Sequence, residues 1–235
     1  MLGQGDTEGV FQLESSGMKQ VLVGLQPQNL EDVIALISLY RPGPMDSIPT
    51  YLRNRHEPDK ISYKTPQLAH ILDVTNGCIV YQEQVMQIFR ELAGFSFGQA
   101  DNVRRAMSKK KHAVMEAERE HFVHGCTDPG NQCPGCVANG ISEKVANEIY
   151  DEMSSFASYA FNKSHAACYA YVAFQTAYLK CHYPSEFMAA LLTSVLDNTD
   201  KVIEYSGECA RLGIKVLPPD VNVSNGGFTA DGSGQ

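Results

Sequence analysis

Apolar residues recur every three or four positions along most of this chain, and that spacing is typical of helices with one buried face. The first series lies at residues 18–25 and follows Ser15 and Ser16, either of which can serve as the N-cap. The same pattern predicts helices at residues 29–39, 65–72, 85–92, 96–105, 112–124, 142–153, 164–179, 185–196 and 199–212.

Residues that start and stop helices stand at several of these boundaries. Ser96 and Gln99 have the spacing of a capping box, in which each side chain binds the backbone N–H of the other. Ser164 is expected to cap a helix rich in Ala and aromatic residues, a composition typical of a helix buried on nearly all sides. Gly94 and Gly213 are expected to end their helices in the left-handed conformation.

Few segments lack helical spacing. Residues 78–80 and 214–217 are expected to be extended, and residues 125–140 form a loop with several Gly, Pro and Cys residues. We predict a mainly α fold, a multi-helix domain with few short strands, over residues 1–222. The Gly- and Ser-rich residues 223–235 are expected to form a flexible C-terminal tail.

Composition and charge narrow the function classes. The chain has 235 residues, of which 43% are hydrophobic, so it can bury a sizeable core. Its formal net charge of −8 argues against a protein that coats nucleic acid by bulk charge, although one concentrated basic site remains compatible with it. The odd count of seven Cys favours a reducing compartment. With no secretory signal or membrane-spanning stretch expected, we predict a cytoplasmic location.

The densest basic segment runs from Arg104-Arg105 to Lys109-Lys110-Lys111, with no acidic residue between them. Arg can hold a phosphate group with two parallel hydrogen bonds, and Lys offers a compact positive charge. The segment is therefore a candidate phosphate site. The alternative is that Asp101, three and four residues before the arginines, pairs with both on the helix surface.

A second candidate is the turn Tyr159-Ala160-Phe161-Asn162-Lys163-Ser164-His165, which leads into the Ala-rich helix. Free N–H groups at a helix N-terminus favour an anion, and Lys163 and His165 would add donors. In the alternative interpretation Ser164 only caps the helix and His165 pairs inside the core.

A third candidate is a zinc site in the loop. Cys133 and Cys136 have ligand spacing for zinc, and His121, His124 and Cys126 are near in sequence. The second Cys pair that would make the signal strong is missing, so an unmetallated surface loop is the alternative. The weak candidate for a zinc site consists of His124, Cys126, Cys133 and Cys136.

Several catalytic motifs are absent from the sequence. Two-metal phosphoryl transfer needs closely placed carboxylates, and no Asp-x-Asp occurs anywhere in the chain. No Walker A loop, nucleophile elbow, His-Glu-x-x-His or dinucleotide fingerprint is present either. We therefore expect no metal-dependent catalysis from these residues alone and no cofactor bound by them.

A series of motifs along the chain carries a family resemblance. In order, they are Thr7-Glu8-Gly9-Val10-Phe11-Gln12-Leu13-Glu14-Ser15 with Gly17-Met18, Leu39-Tyr40-Arg41-Pro42-Gly43-Pro44, Val80-Tyr81-Gln82-Glu83-Gln84-Val85-Met86, Ala100-Asp101, Arg104-Arg105-Ala106-Met107, Lys109-Lys110-Lys111, Phe161-Asn162-Lys163-Ser164-His165-Ala166-Ala167, Tyr183-Pro184-Ser185-Glu186-Phe187-Met188-Ala189-Ala190, Asp197-Asn198-Thr199-Asp200-Lys201 and Val216-Leu217-Pro218-Pro219-Asp220. The series reaches to about Asn222 and resembles the fingers of bacterial C-family replicative DNA polymerases, the alpha subunit of DNA polymerase III. It departs from the family at Ser108, where Gly is usual, and the Cys-bearing loop resembles a lineage-specific elaboration.

The resemblance implies a fingers domain cut from a DNA-directed DNA polymerase, a nucleotidyltransferase. Its expected ligands are the triphosphate of the incoming deoxynucleotide and the primer–template DNA. Carried over by motif, the expected contact residues are Arg104, Arg105, Lys109, Lys163 and His165. Arg41, Tyr81 and Gln84 are weaker candidates that could instead fix helix packing around the site.

The resemblance also implies what lies outside this segment. The aspartates that bind Mg²⁺ are expected in the palm, so the isolated fragment should be inactive. The expected partners are the palm and thumb of the parent chain and, through that chain, other replisome subunits, with no membrane. A helical protein-interaction module without nucleotide binding is the alternative function.

Overall fold

The computed structural model describes residues 1–109, 112–157 and 161–231, without the side chains of Ser108, His112, Ala113 and Ala157. The α-helices are α1 (Ser16–Leu25), α2 (Leu30–Leu39), α3 (Ile48–His56), α4 (Ala69–Leu72), α5 (Gln82–Ala93), α6 (Phe97–Ser108), α7 (His112–His124), α8 (Gly135–Ala138), α9 (Glu143–Ala157), α10 (Lys163–His182), α11 (Pro184–Ser194) and α12 (Thr199–Arg211). Short 3-10 helices lie at Leu2–Gln4, Pro44–Ser47, Pro58–Lys60, Pro66–Leu68 and Asp73–Thr75.

The mainly α prediction is confirmed. Across the described ranges, β-pairing is limited to two isolated bridges, Tyr81 with Phe161 and Cys126 with Cys133. Residues 78–80 therefore lead into a single bridge, and residues 214–217 have no regular secondary structure. In the same part of the chain, no helix is long and apolar enough to span a lipid bilayer.

The chain divides into two compact units. The central unit holds Glu31–Ala167, and the terminal unit combines Met1–Leu30 with Cys168–Gln235. This division does not test the predicted single domain over residues 1–222, so that boundary stays a prediction. At the C-terminus, the Phe228 backbone N–H donates to Thr193 Oγ1 at 2.9 Å, so this described part of the Gly-rich tail contacts α11.

Three aromatic residues form the centre of the central unit's core. Phe89 on α5, Phe122 on α7 and Tyr150 on α9 are fully buried, with ring centroids 5.0 to 6.0 Å apart. Their edge-on and tilted contacts are favoured by the aromatic quadrupole. This packing fixes α5 against α7 and α9, and so positions the N-terminal end of α5.

Most predicted helix ends are confirmed. Ser15 Oγ accepts the Met18 N–H at 3.3 Å, and the capping box at Ser96 and Gln99 is present. Gly94 ends α5 with a φ of 73°, which is favourable only for glycine and a few other residues. Helix α3 was missed because its sequence, Ile-Pro-Thr-Tyr-Leu-Arg-Asn-Arg-His, is mostly polar and follows a Pro- and Gly-rich stretch.

Two predictions about α10 are wrong. The cap is Asn162, whose Oδ1 accepts the His165 N–H at 2.9 Å, and the helix already begins at Lys163. The helix is also buried on one face only, because its alanines, at positions three or four residues apart, form the packed side: Ala166, Ala170, Ala173 and Ala177. The aromatic side is exposed, at 56% for Tyr171 and 50% for Phe174.

A buried ion network holds the terminal unit together. The Lys180 ammonium on α10 lies 3.1 Å from Asp6 and 2.6 Å from Glu208 on α12, and it also donates to the Glu8 carbonyl oxygen at 3.0 Å. Arg211 binds the carboxylates of both Glu208 and Asp6. Residues distant in sequence therefore satisfy a buried charge, as such a charge requires.

Candidate functional site

The start of α5 is fixed by a buried glutamine. Gln84 Oε1 accepts the backbone N–H groups of Val80 and Tyr81 at 2.9 and 3.0 Å. Its Nε2 donates to the Ile71 carbonyl oxygen at 3.0 Å and to Thr75 Oγ1 at 2.8 Å. Because these bonds use the hydrogen-bonding groups of the amide, Gln84 fixes the helix start, which is the packing role that the sequence left open for it.

The segment before α10 pairs with the start of α5. The Gln82 N–H donates to the Phe161 carbonyl oxygen at 3.0 Å, and the Phe161 N–H donates to the Val80 carbonyl oxygen at 3.4 Å. These bonds form the parallel bridge between Tyr81 and Phe161. They bring the N-terminal ends of two helices that are distant in sequence to the same place.

A carboxylate joins these two helix ends. Glu83, in the first turn of α5, accepts Asn162 Nδ2 at 2.9 Å and the Lys163 backbone N–H at 3.1 and 3.2 Å. A negative group at a helix N-terminus is stabilised by the free N–H groups and the helix dipole. Glu83 therefore shows that the start of α10 accepts an anion.

Lys163 lies beside this carboxylate. Its ammonium is 2.9 Å from the Glu31 carboxylate on α2 and 5.3 Å from the centroid of the Tyr81 ring. Tyr81 is buried, and within the described residues its phenol oxygen has no hydrogen-bond partner. Burial and nearby charges, including that of Glu31, raise the pKa of Tyr81, so the ring is neutral and serves as a cation–π platform for Lys163.

The arginine pair on α6 reaches the same helix end through one of its members. Arg104 Nη1 donates to Gln82 Oε1 at 2.9 Å, and its Nη2 donates to Asp101 Oδ1 at 2.7 Å. Arg105 Nε donates to Asp101 Oδ2 at 2.7 Å, and its side chain is 65% exposed. The surface pairing with Asp101 that the sequence left open is therefore present. Hydrogen bonds from Arg104, together with those from Arg105, lower the pKa of Asp101.

Two further predicted residues contact the Phe161 ring. The Arg41 guanidinium lies 4.5 Å from the centroid of the Phe161 ring, and the His165 ring lies 5.3 Å from it, edge to face. We call Arg41, Arg104, Lys163 and His165, together with Gln82 and Glu83, the α5–α10 cluster. In this cluster the structure brings together side chains from four separate stretches of sequence, three of which supply Arg41, Arg104 and Lys163.

Not every predicted residue belongs to the cluster. Lys109 is exposed at the C-terminal end of α6, and in the described part of the chain no contact joins it to the cluster. Lys110, Lys111, Tyr159 and Ala160 lie outside the described residues. Sequence reasoning missed Glu31 and the role of Glu83. The signal for Glu83 was its place in the first turn of a helix, where acidic side chains are favoured.

The Cys-bearing loop is closed by backbone bonds. Cys126 and Cys133 exchange N–H to carbonyl bonds of 2.9 and 3.0 Å, and Gly125 and Gly135 allow the two strands of the loop to approach closely. A Cβ at Gly135 would lie 2.3 Å from the Gly125 nitrogen, and its φ of 80° also favours glycine.

The predicted zinc ligands are not grouped in this arrangement. Among the described residues, no three of the ligand atoms of His124, Cys126, Cys133 and Cys136 lie within 4.8 Å of one another. Burial, with a smaller effect of Cys133, raises the pKa of the Cys136 thiol to about 12, which keeps it protonated at neutral pH. The zinc site stays a prediction.

The one group of possible metal ligands that the described residues do form lies in the terminal unit. It consists of Glu8, Glu14 and Glu204. Lys19 pairs with Glu8, and Lys201 lies 3.5 Å from Glu14 and 2.9 Å from Glu204. These two lysines compensate the acidic charges, so the group is accounted for by ion pairs.

Known sequences resemble this chain over nearly its whole length. The sequence profile of the bacterial DNA polymerase III alpha subunit finger domain matches residues 1–130. DNA polymerase III subunit alpha of Thermus aquaticus is 50% identical over 237 aligned residues, which cover 99% of this chain and 19% of that protein. The subunits of Bacillus subtilis strain 168 and Staphylococcus aureus are 48% and 45% identical, cover 98% and 96% of this chain, and each match covers 20% of the relative.

The fold and these matches together define the class: a helical domain of a DNA polymerase subunit. The chain spans about a fifth of the length of the curated relatives it matches. Since the profile match covers more than half of the chain, the chain belongs to the bacterial DNA polymerase III alpha subunit finger-domain family. The profile includes Arg41, Tyr81, Gln84, Arg104, Arg105 and Lys109, and the longer matches extend past Lys163 and His165.

Proposed function

We propose that this chain is the nucleotide- and DNA-binding fingers of a bacterial DNA polymerase. In this proposal the α5–α10 cluster binds the triphosphate of the incoming deoxynucleotide, and the exposed cations of α6 contact template–primer DNA. The observation that carries the proposal is the convergence of Arg104 and Lys163 on neighbouring residues at the start of α5, through Gln82 and Glu83.

The chemistry of the cluster suits a polyphosphate. Lys163 supplies a compact charge and Arg104 a planar fork with several donors. The positive end of the α10 helix dipole lies beside them. Polar groups held in place before the reaction stabilise charge that grows on the leaving pyrophosphate without reorganising. Arg41 and His165, which share the Phe161 ring, add positive charge or donors at the edge of the cluster.

The DNA-contacting role falls to the exposed side of α6. Arg105 is mostly exposed and Lys109 lies at the end of the same helix, so both are accessible to a phosphate backbone. Contacts of this kind are electrostatic and weaken steeply with salt. A chain with net charge −8 would therefore bind DNA weakly and locally.

Bond formation is assigned to another part of the parent polypeptide. The carboxylates in and beside the cluster do not suit Mg²⁺, because Glu31, Glu83 and Asp101 are each engaged by cationic or N–H donors. The Mg²⁺-binding aspartates are expected in the palm, so the nucleotidyltransferase activity belongs to the parent chain. The palm, the thumb and replisome subunits are its partners in this proposal, and its location is the bacterial cytoplasm.

One observation favours a second candidate, a protein-interaction module. The exposed side of α10 carries Tyr171, Phe174 and Tyr178 at helical spacing, and no Asp, Glu, Lys or Arg occurs between residues 164 and 179. A charge-free aromatic helix face is typical of a surface that packs against another polypeptide. This function and nucleotide binding use different residues.

The two functions are separated by DNA binding at low salt. Fluorescence anisotropy of a labelled primer–template would be measured for the chain, the double variant Arg104→Glu/Arg105→Glu, and a control with the same charge change, Lys60→Glu/Lys144→Glu. The control residues are exposed and outside the cluster. We expect the arginine variant to bind more weakly and to lower the log–log salt slope by about one, for the lost phosphate contact of Arg105.

Equal DNA affinity of the two double variants would show that the arginines are not part of the binding site. If the chain binds neither DNA nor nucleotide at low salt, the interaction module is favoured. In the full-length parent polypeptide, the Arg104→Glu/Arg105→Glu change is expected to raise the nucleotide KM or lower kcat. Unchanged steady-state kinetics would contradict the assignment.

A further inference from the structure

Lys163 is held by two carboxylates in two different ways. Glu83 binds its backbone N–H, at 3.1 and 3.2 Å, and Glu31 pairs with its side-chain ammonium at 2.9 Å. The first contact fixes the position of the Lys163 backbone. The second pairs with the Lys163 ammonium, the positive charge that a phosphate group would bind.

The two carboxylates differ in how easily each can be displaced. Glu83 also accepts a hydrogen bond from the Asn162 side chain at 2.9 Å, so it joins the start of α5 to two neighbouring residues at the start of α10. Glu31 makes one ion pair in the described structure, and its side chain is 50% exposed, against 35% for Lys163. Exposed pairs between flexible side chains gain little over hydration and exchange readily.

We propose that Glu31 is a competing carboxylate, which occupies the Lys163 ammonium when no phosphate is bound and gives way when polyphosphate arrives. This inference rests on the proposed function, because it assumes that the α5–α10 cluster is where the triphosphate binds. A monoanion carries no more charge than the carboxylate it must replace, whereas a triphosphate carries several charges and can also reach Arg104. Glu31 therefore makes the cluster selective for polyphosphates over singly charged anions.

The inference is tested by titrating the 235-residue chain with inorganic triphosphate at low ionic strength and following the heat of binding. Glu31→Gln removes the competing charge and keeps the side-chain length. Glu57→Gln is the matched control, because Glu57 also forms an exposed ion pair in the central unit, 3.0 Å from Lys60. We expect Glu31→Gln to bind triphosphate about two- to fivefold more tightly than the control, the range set by the worth of an exposed ion pair.

The variant Lys163→Ala separates the two levels of the proposal. If Lys163→Ala weakens binding but Glu31→Gln matches the control or binds more weakly, the competing role of Glu31 is refuted and the proposed function stands. If Lys163→Ala binds as the unchanged chain does, or the chain binds no triphosphate, the proposed function fails and the inference with it. Inorganic phosphate, titrated in parallel, should gain a larger factor in affinity from Glu31→Gln than triphosphate gains, because it has no second contact at Arg104 to offset the competing carboxylate. An equal or smaller gain for phosphate would refute the selectivity assigned to Glu31.

Discussion

Helix α10 carries two lysines that are both paired with carboxylates but in opposite surroundings. Lys180 is buried in the terminal unit between Asp6 and Glu208, whereas Lys163 in the central unit is partly exposed and pairs with Glu31. Each has an N–O distance below 3.2 Å, so distance alone does not distinguish them. Burial does, because a buried charge that loses its partner cannot recover its hydration, while an exposed one can.

The comparison assigns different roles to similar contacts. The Lys180 network joins Asp6, Lys180 and Glu208 within one unit, and removing one member leaves a buried charge with fewer opposite charges to replace its lost hydration. The Lys163 pair can exchange its carboxylate for another anion at little cost. A site that binds and releases a charged ligand requires the second kind of contact.

The largest expected effect comes from breaking the buried network. Lys180→Met should lower the free energy of unfolding by about 3–5 kcal/mol, because it removes the buried cation and leaves only the half-exposed Arg211 to pair with Glu208 and Asp6. Lys163→Met, on the same helix, should cost less than about 1 kcal/mol. Urea unfolding of both variants measures the difference, and equal losses would show that burial does not separate the two lysines.

The second-largest effect on stability is expected when the pH is lowered, because Glu208 in the buried network becomes protonated. Burial opposes ionisation of Glu208, but hydrogen bonds from Arg211 and Lys180 outweigh it and lower its pKa to about 2. Because the folded-state pKa lies below the ordinary value of 4.5, its contribution to stability is complete above about pH 4.5 and is lost as the pH falls towards 2. Thermal melts over this range would follow the loss. In Glu208→Gln that component should be absent, and an unchanged acid profile in this variant would contradict the assignment.

A smaller effect on stability than that of the Lys180 network is expected at the cap of α10. Asn162→Ala removes the side chain that accepts the His165 N–H and donates to Glu83, and should cost about 1 kcal/mol. Ser96→Ala, which removes the capping side chain of α6, is the matched control and should cost a similar amount. Only Asn162→Ala should also weaken triphosphate binding, since it loosens the helix end beside Lys163. An equal loss of binding in Ser96→Ala would show that the effect is not local.

The sequence predicted the helices better than it predicted their surroundings. The capping box of α6 and the end of α5 at Gly94 depend on residues close in sequence, and both are confirmed. The exposed side of α10 was missed because composition does not reveal which face a neighbouring segment covers. The cap at Asn162 was missed because Ser164, two residues later, is an equally favourable capping residue.

Motifs identified the residues of the candidate site but not their partners. Arg104 and Lys163 were named from charge and resemblance, yet their meeting at Gln82 and Glu83 depends on the bridge between Tyr81 and Phe161. Contacts of this kind join residues about eighty positions apart and follow from packing. For the same reason, no local pattern pointed to Lys180 or to its partners Asp6 and Glu208.

The most direct test of the account is to locate bound polyphosphate on the chain. Backbone amide resonances of the isotope-labelled chain would be followed as inorganic triphosphate is added at low ionic strength. The account predicts saturable shifts at Gln82, Glu83 and Lys163, with Lys180 and Glu208 unaffected. Saturable shifts confined to other parts of the chain, or none at all, would contradict it.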